Sequence, residues 1–255
     1  MKKIIVTTSW DDGSVEDLRI LNLLNKYNLK GTFYVPKNIN FEIKKGKYLQ
    51  RISDKEILEI AKTQEIGAHT MNHTYLNKLH GDELYSEIKN SKDWIELLLN
   101  KKIRVFACPG GIFNSEIIET IKKSGFIGAN VGGIFNVEIK DPFLVGFSAH
   151  CYPCFPKNKE WGLFLKSKIT LGRIRVNIKG IKKFNLPIIS ILRWNILAKN
   201  IFNYILENGG IFHLHGHSWE IERYKIWDDL EDILKYISNR DNVLYLTNSE
   251  TIENS

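Results

Sequence analysis

The sequence predicts an α/β fold in which parallel strands alternate with helices along one undivided chain. Short β-branched runs and stretches of helical hydrophobic periodicity follow one another from end to end. No repeat, low-complexity segment or linker interrupts them, so residues 1–255 are expected to form a single domain. A length of 255 residues also lies within the range of one α/β barrel. The sheet is therefore expected to be either open or closed into such a barrel.

The predicted elements have recognisable boundaries. The first helix has apolar residues about three positions apart, Ser53 and Glu56 form a capping-box pattern, and glycines 209 and 210 end the helix before them. The strands are expected at 3–9, 30–36, 65–69, 103–109, 210–215 and 242–247, and the helices at 14–28, 53–64, 81–100, 114–126, 193–210 and 225–239. Between residues 131 and 190 the pattern cannot be assigned.

The composition indicates an ordinary globular protein, with 43% hydrophobic and 25% charged residues. The net charge of +7 is dispersed except around residues 157–183, which argues against nucleic acid as a partner. A solvated basic face is the simplest explanation, and an anionic substrate or a membrane surface is the alternative.

The sequence also bears on location. No stretch approaches the roughly twenty apolar residues of a membrane span, and the apolar run in MKKIIV is too short for a signal peptide. The three cysteines do not suggest a disulfide framework, and the pair Cys151 and Cys154 is expected to lie in a loop without a metal. A cytoplasmic location is expected, with the inner membrane surface as a second possibility.

Acidic residues and histidines follow two of the predicted strands. Asp11 and Asp12 follow the first strand in SWDDG, and His69 and His73 follow the third in GAHTMNHTYL. Because the C-terminal ends of parallel strands meet at one edge of a sheet, these side chains are expected to converge. A carboxylate with two neutral imidazoles suits Zn²⁺, or Fe, Co, Ni or Mn, and leaves positions open for water and substrate. Either motif alone is more simply read as a turn or a surface pair, but together they indicate a metal site.

Three motifs carry a family resemblance. SWDDG, HTMNH and the FACPGG of residues 106–111 resemble, in order and separation, those of the polysaccharide deacetylases, the carbohydrate esterases with a NodB-type domain. The resemblance extends to HLHGHSWEIE near the end of the chain. It implies a distorted (β/α) barrel of about seven parallel strands and the metal-dependent removal of N-acetyl groups from sugars.

The resemblance also implies roles for residues. Asp11 is expected to be the general base, and Asp12 to bind the metal with His69 and His73. A carboxylate on a divalent cation stays ionised, whereas its neighbour remains free to accept a proton. The acid that protonates the leaving amine is either His215, where the family's usual ending falls, or His217, to which a GHSWE-like ending points and which we favour.

Other residues are assigned around this centre. A backbone N–H of the loop Pro109, Gly110 and Gly111 is expected to bind the oxyanion, and Trp10, Trp219 and Phe113 are candidates for stacking on a sugar. Glu220 is expected to orient the acid. His213 is expected in the core, and His80 and His150 on the surface or in loops.

Two departures from the family pattern keep other functions open. Ala107 stands where an arginine often orients the base, and the Asp-Trp pair of the fourth family motif is missing. The expected substrate is an N-acetylated saccharide intermediate, nucleotide- or lipid-linked. The alternatives are a catalytically impaired glycan-binding relative, a metal amidohydrolase acting on a non-sugar amide, and a metal-stabilised interaction protein.

Overall fold

Strands and helices alternate along the chain in the predicted order. The structure is a computed structural model that describes residues 2–44, 47–153 and 163–255. The strands are β1 (Ile4–Asp11), β2 (Gly31–Val35), β3 (Glu42–Lys44), β4 (Lys47–Tyr48), β5 (Glu65–Ala68), β6 (Val105–Ala107), β7 (Gly128–Asn130), β8 (Ala149–His150), β9 (Gly210–Gly216) and β10 (Leu244–Tyr245). The helices are α1 (Asp17–Lys26), α2 (Asp54–Ile60), α3 (Gly81–Leu99), α4 (Ser115–Lys123), α5 (Leu163–Lys183), α6 (Trp194–Asn208), α7 (Ser218–Tyr224), α8 (Trp227–Ile237) and α9 (Asn248–Glu253).

The main sheet is parallel and is centred on β1. Within the described ranges seven strands lie in the order β7-β6-β5-β2-β1-β9-β8, and β10 pairs with the start of β1. All of their ladders are parallel, and β3 and β4 form a separate antiparallel hairpin. β1 is buried almost throughout because it is covered on both sides of the sheet. The predicted fold class is confirmed.

The segment between β7 and β8 closes the sheet into a distorted barrel. Val145 donates its backbone N–H to the Ala129 carbonyl at 3.0 Å, and Val131 donates to the Val145 carbonyl at 3.0 Å. A few residues later, Ser148 donates to the His213 carbonyl of β9 at 2.9 Å. One irregular segment therefore joins the two edge regions of the sheet.

The helix boundaries follow local sequence signals. The capping box of Ser53 and Glu56 is present at the start of α2, and the Asn114 side chain accepts the Ile117 N–H at the start of α4. Gly209 ends α6 with a φ of 80°, a conformation that favours glycine.

The structure adds elements that the hydrophobic pattern did not predict. Helix α5 occupies much of the unassigned region, where glycines and β-branched residues obscure the helical periodicity. β7, β8, α7 and α9 are also new, and each is too short for a clear period. No helix of the described ranges combines the length and apolarity needed to cross a bilayer. Cys154 lies outside the described residues.

Candidate metal and catalytic site

The site begins at a turn that directly follows β1. Asp11 is the last residue of the strand, and Asp12 has a φ of 79°, in the left-handed region that non-glycine residues rarely adopt. Gly13 continues the turn with a φ of 61°. A strained aspartate held by its surroundings is common where a side chain must be aimed at a ligand. This turn directs Asp12 towards the histidines that follow β5.

Asp12, His69 and His73 form a compact ligand set. The Oδ1 atom of Asp12 lies 3.0 Å from Nε2 of His73 and 3.4 Å from Nε2 of His69. One ligand atom from each residue lies within 4.8 Å of the others. Asp12 and His69 are buried, and His73 is only partly exposed. The three residues therefore converge as a divalent cation requires.

Neighbouring groups prepare this set for a cation. Nδ1 of His69 lies 2.8 Å from the Ala107 carbonyl, so Nδ1 carries the proton and Nε2 is left as the electron-pair donor. The indole of Trp219 donates to Oδ2 of Asp12 at 2.8 Å, which leaves Oδ1 to face the histidines. This choice of tautomer and carboxylate orientation fits a metal ion.

The two neighbouring aspartates differ in acidity. Burial opposes ionisation of Asp12, but His217, His69 and His73 outweigh it and hold the pKa of Asp12 well below its usual value. Burial raises the pKa of Asp11, and Asp12 adds to the rise against the opposing effect of the histidines. Oδ1 of Asp11 has no hydrogen-bond partner among the described residues. Asp12 therefore suits the role of an anionic ligand and Asp11 that of a proton acceptor.

His217 is held by an acidic partner at the mouth of the same site. Nδ1 of His217 lies 2.8 Å from Oε2 of Glu220, one helical turn later, and Nε2 lies 3.9 Å from Oδ2 of Asp12. Burial disfavours the charged imidazole, but Glu220 and Asp12 outweigh it and raise the pKa of His217 to about 10. His217 is therefore a protonated imidazole whose Nε2 faces the site.

His215 lies deeper, at the end of a hydrogen-bonded chain. Oγ of Ser9 lies 2.8 Å from Nε2 of His213 and 3.0 Å from Nδ1 of His215. Burial lowers the pKa of His213 to about 3, and burial with His150 and His217 lowers the pKa of His215 well below its usual value. Both rings are therefore neutral.

The directions of these hydrogen bonds follow from the single hydroxyl proton of Ser9. The Gly146 backbone stabilises the protonated form of His213, and with the ring proton on the nitrogen that faces away from Ser9, Nε2 of His213 accepts the Ser9 proton. Ser9 then accepts from Nδ1 of His215. A neutral imidazole with its proton on Nδ1 presents an unprotonated Nε2, which accepts a proton and does not donate one.

These residues line a cavity of about 310 Å³. The lining residues are Asp11, Asp12, Phe41, His69, His73, Tyr75, Cys108, Gly110, Gly111, Asn130, Gly132, Gly133, Ile134, Phe147, His150, His215, His217 and Trp219. Phe147 stacks on His215 with ring centroids 3.8 Å apart, and Phe41 packs on Trp219 at 5.4 Å. The volume and the mixed polar and aromatic walls suit part of a small ligand or one unit of a larger one.

The loop of residues 109–111 forms one wall of this cavity. Gly110 and Gly111 both have positive φ, and a Cβ on Gly111 would lie 2.8 Å from the Val131 carbonyl oxygen. Pro109 is buried, does not line the cavity and has no N–H to donate. The Gly111 N–H donates to the Cys108 carbonyl at 2.9 Å. Gly110 is therefore the candidate oxyanion donor in this loop.

Comparison with known proteins identifies the family. A family model described as polysaccharide deacetylase matches residues 1–129, slightly more than half of the chain. The chain belongs to the polysaccharide deacetylase family.

Curated polysaccharide deacetylases and their relatives match only parts of the chain. It is 30% identical over 124 residues to the peptidoglycan-N-acetylglucosamine deacetylase of Bacillus cereus, covering 48% of this chain and 54% of that protein. It is 24% identical over 202 residues to a Wigglesworthia glossinidia brevipalpis protein named a probable 4-deoxy-4-formamido-L-arabinose-phosphoundecaprenol deformylase, covering 77% of this chain and 62% of that protein. The chain thus spans about half to three fifths of the length of these relatives.

A solved structure supports the fold over nearly the whole chain. The family 4 acetyl xylan esterase of Clostridium thermocellum, solved in complex with a cobalt ion, matches with a TM-score of 0.56 and 16% identity. The match covers 98% of this chain and 90% of the esterase. At this identity the likeness concerns the fold of the polysaccharide deacetylase family and not its substrate.

One expectation for this polysaccharide deacetylase family member is wrong. Trp10 cannot stack on a sugar because it has no exposed surface, and its indole donates to Oγ1 of Thr8 at 3.0 Å inside the core. Because alternate residues of β1 face opposite sides of the sheet, Trp10 points away from the cavity that Asp11 lines and packs in the hydrophobic core. Phe113 is 44% exposed but does not line the cavity, whereas Trp219 does.

His150 is not the unpartnered surface or loop residue that the sequence suggests. It ends β8 and lines the cavity, with its ring 5.1 Å from His215 and 5.8 Å from His217. Its Nε2 lies 3.7 Å from Oε2 of Glu220. The only sequence signal was its place after a short apolar stretch in the unassigned region. His213 is buried, as expected, and His80 is exposed.

Two buried carboxylates that sequence reasoning missed hold the site in place. Glu87 of α3 accepts the backbone N–H of Asn72 at 2.6 Å and the side-chain amide of Asn72 at 2.8 Å. Asn72 lies in the chain between the two candidate ligands His69 and His73. Asp17 of α1 accepts the Ser218 hydroxyl at 2.5 Å, next to His217. Burial raises the pKa of Asp17 well above its usual value, against the effect of Ser218.

Proposed function

We propose that the chain is a metal-dependent N-deacetylase that hydrolyses the N-acetyl group of an amino sugar. The observation that carries this proposal is that one cavity contains a carboxylate-bis-imidazole ligand set, a separate unpaired carboxylate and a protonated imidazole. Hydrolysis of an amide needs these three functions: electrophilic activation, a general base and a general acid. The metal-containing esterase that shares the fold is consistent with this reading.

In this mechanism Asp12, His69 and His73 hold the cation, with zinc as the first candidate. Such an ion polarises the acyl carbonyl and makes water more acidic when it is bound. The chain's own residues then perform the proton transfers. Asp11 accepts a proton from the attacking water while the water oxygen forms a bond to the carbonyl carbon. Gly110 donates its N–H to the developing oxyanion.

The leaving group is protonated from the other side of the cavity. Glu220 binds Nδ1 of His217, so Nε2 is the nitrogen that can reach the substrate. It donates a proton to the amine nitrogen as the carbon–nitrogen bond breaks, and acetate and the free amine leave. His215 presents an unprotonated Nε2 and is therefore the weaker candidate for this step. Trp219 keeps Asp12 oriented throughout.

The proposed substrate is an N-acylated saccharide intermediate carried by a lipid phosphate or a nucleotide. The match over 77% of the chain to a protein named for a formamido-arabinose joined to phosphoundecaprenol supports the lipid-linked form. The match to a peptidoglycan-N-acetylglucosamine deacetylase supports an N-acetylated amino sugar as the acyl donor.

Glycan binding without turnover is a second candidate, favoured by one observation. The side chain at Ala107 cannot orient Asp11, and Oδ1 of Asp11 has no hydrogen-bond partner among the described residues, with Nδ1 of His215 at 4.0 Å. A base that is not held in position loses part of its catalytic effect.

Acetate release separates the two candidates. The zinc- or cobalt-loaded protein should release acetate from N-acetylglucosamine oligomers or from an N-acetylated sugar on a polyprenyl phosphate. Asp11→Asn should lower turnover by roughly 10²–10⁴-fold, because only the base is lost, and should keep its metal by elemental analysis. A metal-loaded wild type that binds the oligomers but releases no acetate from any of these substrates would support the binding function instead.

A further inference from the structure

The net positive charge of this protein comes from one part of the chain, because that part contains no acidic residue. Residues 161–206 contain nine of the 36 Lys and Arg residues and none of the 29 acidic residues. The remainder of the chain therefore has 27 basic residues against 29 acidic ones, which is close to neutral. An acid-free span of this length on a chain that is otherwise balanced indicates an anionic partner for this part of the molecule.

Helix α5 presents this charge on its outer side. Arg175, Lys179, Lys182 and Lys183 are exposed, and none of them pairs with an acidic side chain of the described residues. At about 100° per residue these four cations fall within an arc of roughly 100° on the helix. Ile181 and Phe184 are buried and hold the helix against the barrel.

Large apolar side chains are exposed beside these cations. Leu171 and Val176, which lie on the same outer side of α5, are 65% and 47% exposed. The 3₁₀ helix Ile188–Leu192 packs against α5 and exposes Ile188 by 63%, Ile189 by 60% and Leu192 by 50%. The exposed side of α5 from Leu171 to Lys183, together with this 3₁₀ helix, is called the basic apolar face. Neighbouring exposed aliphatic residues of this size mark interaction surfaces in soluble proteins.

We propose that the basic apolar face docks on the surface of an anionic phospholipid bilayer. Lipid phosphates attract the cations of α5, and the aliphatic side chains of the 3₁₀ helix enter the boundary between headgroups and acyl chains. Single-stranded nucleic acid fits less well, because the exposed large side chains of this face are aliphatic and cannot stack on bases. A second copy of the same face is disfavoured, since it would bring like charges together.

The face is connected to the wall of the catalytic cavity. The ring of Phe135 packs directly on Gly180 of α5, where a Cβ on Gly180 would lie only 2.3 Å from the ring. The same ring stacks on Phe184, with the two ring centroids 6.2 Å apart. The residues just before Phe135, Gly132 to Ile134, line the cavity. Docking would therefore place the bilayer behind a wall of the cavity. The proposal does not depend on which reaction the cavity performs.

Vesicle flotation of the full chain at physiological ionic strength tests this proposal. The wild type should float with vesicles of phosphatidylglycerol and phosphatidylcholine in equal parts and not with vesicles of phosphatidylcholine alone. K179E/K182E/K183E should lower the partition coefficient by at least about tenfold, since each basic residue near an anionic surface contributes several-fold. I188S/I189S should lower it by a similar factor, because the apolar insertion is lost.

Matched variants control for charge and hydrophobicity elsewhere. K55E/K101E/K123E makes the same change in net charge at exposed lysines, and L97S/L144S removes two other exposed leucines; both should bind as the wild type does. Circular dichroism should be unchanged in all four variants. Wild type that fails to float, or control variants that lose as much binding as the test variants, would overturn the proposal. The proposal would also be overturned if the wild type binds a single-stranded RNA oligonucleotide but no vesicles, and if K179E/K182E/K183E loses the RNA binding.

Discussion

At the scale of single residues, one hydroxyl proton distinguishes the two histidines that compete for the role of acid. Ser9 donates to His213 and accepts from His215, so His215 turns an unprotonated nitrogen to the cavity. His217, paired with Glu220, holds a proton there. Two histidines only two residues apart on one strand end thus present opposite chemistry, because their partners come from different parts of the fold.

Substitution of each histidine should reveal this difference. His217→Ala should lower kcat/KM for an N-acetyl sugar by roughly 10²–10⁴-fold, the usual contribution of a general acid. It should affect an aryl acetate far less, because that leaving group needs no proton. His215→Ala should not show this contrast between substrates. If His215→Ala shows it and His217→Ala behaves like the wild type, the acid is His215.

His213 should make the stability of the protein depend on pH. Its pKa is lowered to about 3 by burial, whereas an unfolded histidine titrates near 6.5. Below about pH 6.5 His213 therefore binds a proton in the unfolded chain but stays unprotonated in the folded chain. The free energy of unfolding decreases as the pH falls towards 3. Between pH 6.5 and 4 this loss should be roughly 3 kcal/mol for this one residue.

Urea unfolding at pH 7 and pH 4 measures this effect. His213→Gln lacks the titrating ring. Between pH 7 and pH 4 the wild type should therefore lose about 3 kcal/mol more unfolding free energy than the variant does. His80→Gln, at an exposed histidine, serves as the control and should shift far less. An unchanged difference at the two pH values would show that His213 is not held neutral.

At the scale of elements, the two candidate ligand histidines depend on helix α3. The loop that contains His69 and His73 is joined to α3 by the two hydrogen bonds from Asn72 to Glu87 and by the Met71 N–H, which donates to the Glu87 carbonyl at 3.2 Å. The His73 backbone has a φ of 53°, which the loop must maintain. Glu87 is therefore expected to position the candidate ligand His73 without being a ligand itself.

Removing this support should weaken metal binding without unfolding the protein. Glu87→Ala should lower zinc affinity by about 10–100-fold, the usual effect of losing an outer-shell partner. Glu83→Ala, on the exposed side of the same helix, should leave the affinity unchanged. Competition with a chromophoric chelator measures both. Equal zinc affinity in Glu87→Ala and wild type would contradict the positioning role.

At the scale of the whole molecule, the proposed metal site joins segments that are far apart in the chain. Asp12 follows β1 and the two histidines follow β5, with β2 between these strands in the sheet. A cation held by all three residues links these strand ends only in the folded state. Metal binding should therefore stabilise the entire barrel.

Thermal unfolding should show this stabilisation. Zinc at about 100 times its Kd should add about 2.7 kcal/mol, which for a chain of this size corresponds to a rise in Tm of roughly 5–10 °C. A chelator should reverse the rise. Asp12→Asn should show almost none of it, whereas Asp11→Asn should keep it, because the base is not a ligand. A full zinc shift in Asp12→Asn would exclude Asp12 from the site.

The sequence by itself determined the fold class, the order of most elements and the place of Asp11, Asp12, His69 and His73 at strand ends. Hydrophobic periodicity, capping residues and glycine stops are local signals, and they could be read without the fold. The DDG and HTMNH motifs are also local, since strand ends and the turns after them lie within a few residues. The family resemblance added an expected role to each of these four residues, which the motifs had already indicated as a metal site.

Only the tertiary structure decided the contacts between distant segments. It buried Trp10 in the core, brought His150 to the cavity, attached Glu87 to the histidine loop and gathered the exposed side of α5 into one face. It also joined Ser9 to His213 and His215, more than 200 residues later, which sets the tautomer of each ring. Such contacts depend on the register of β1 against β9 and on the packing of helices, and no short stretch of sequence contains that information.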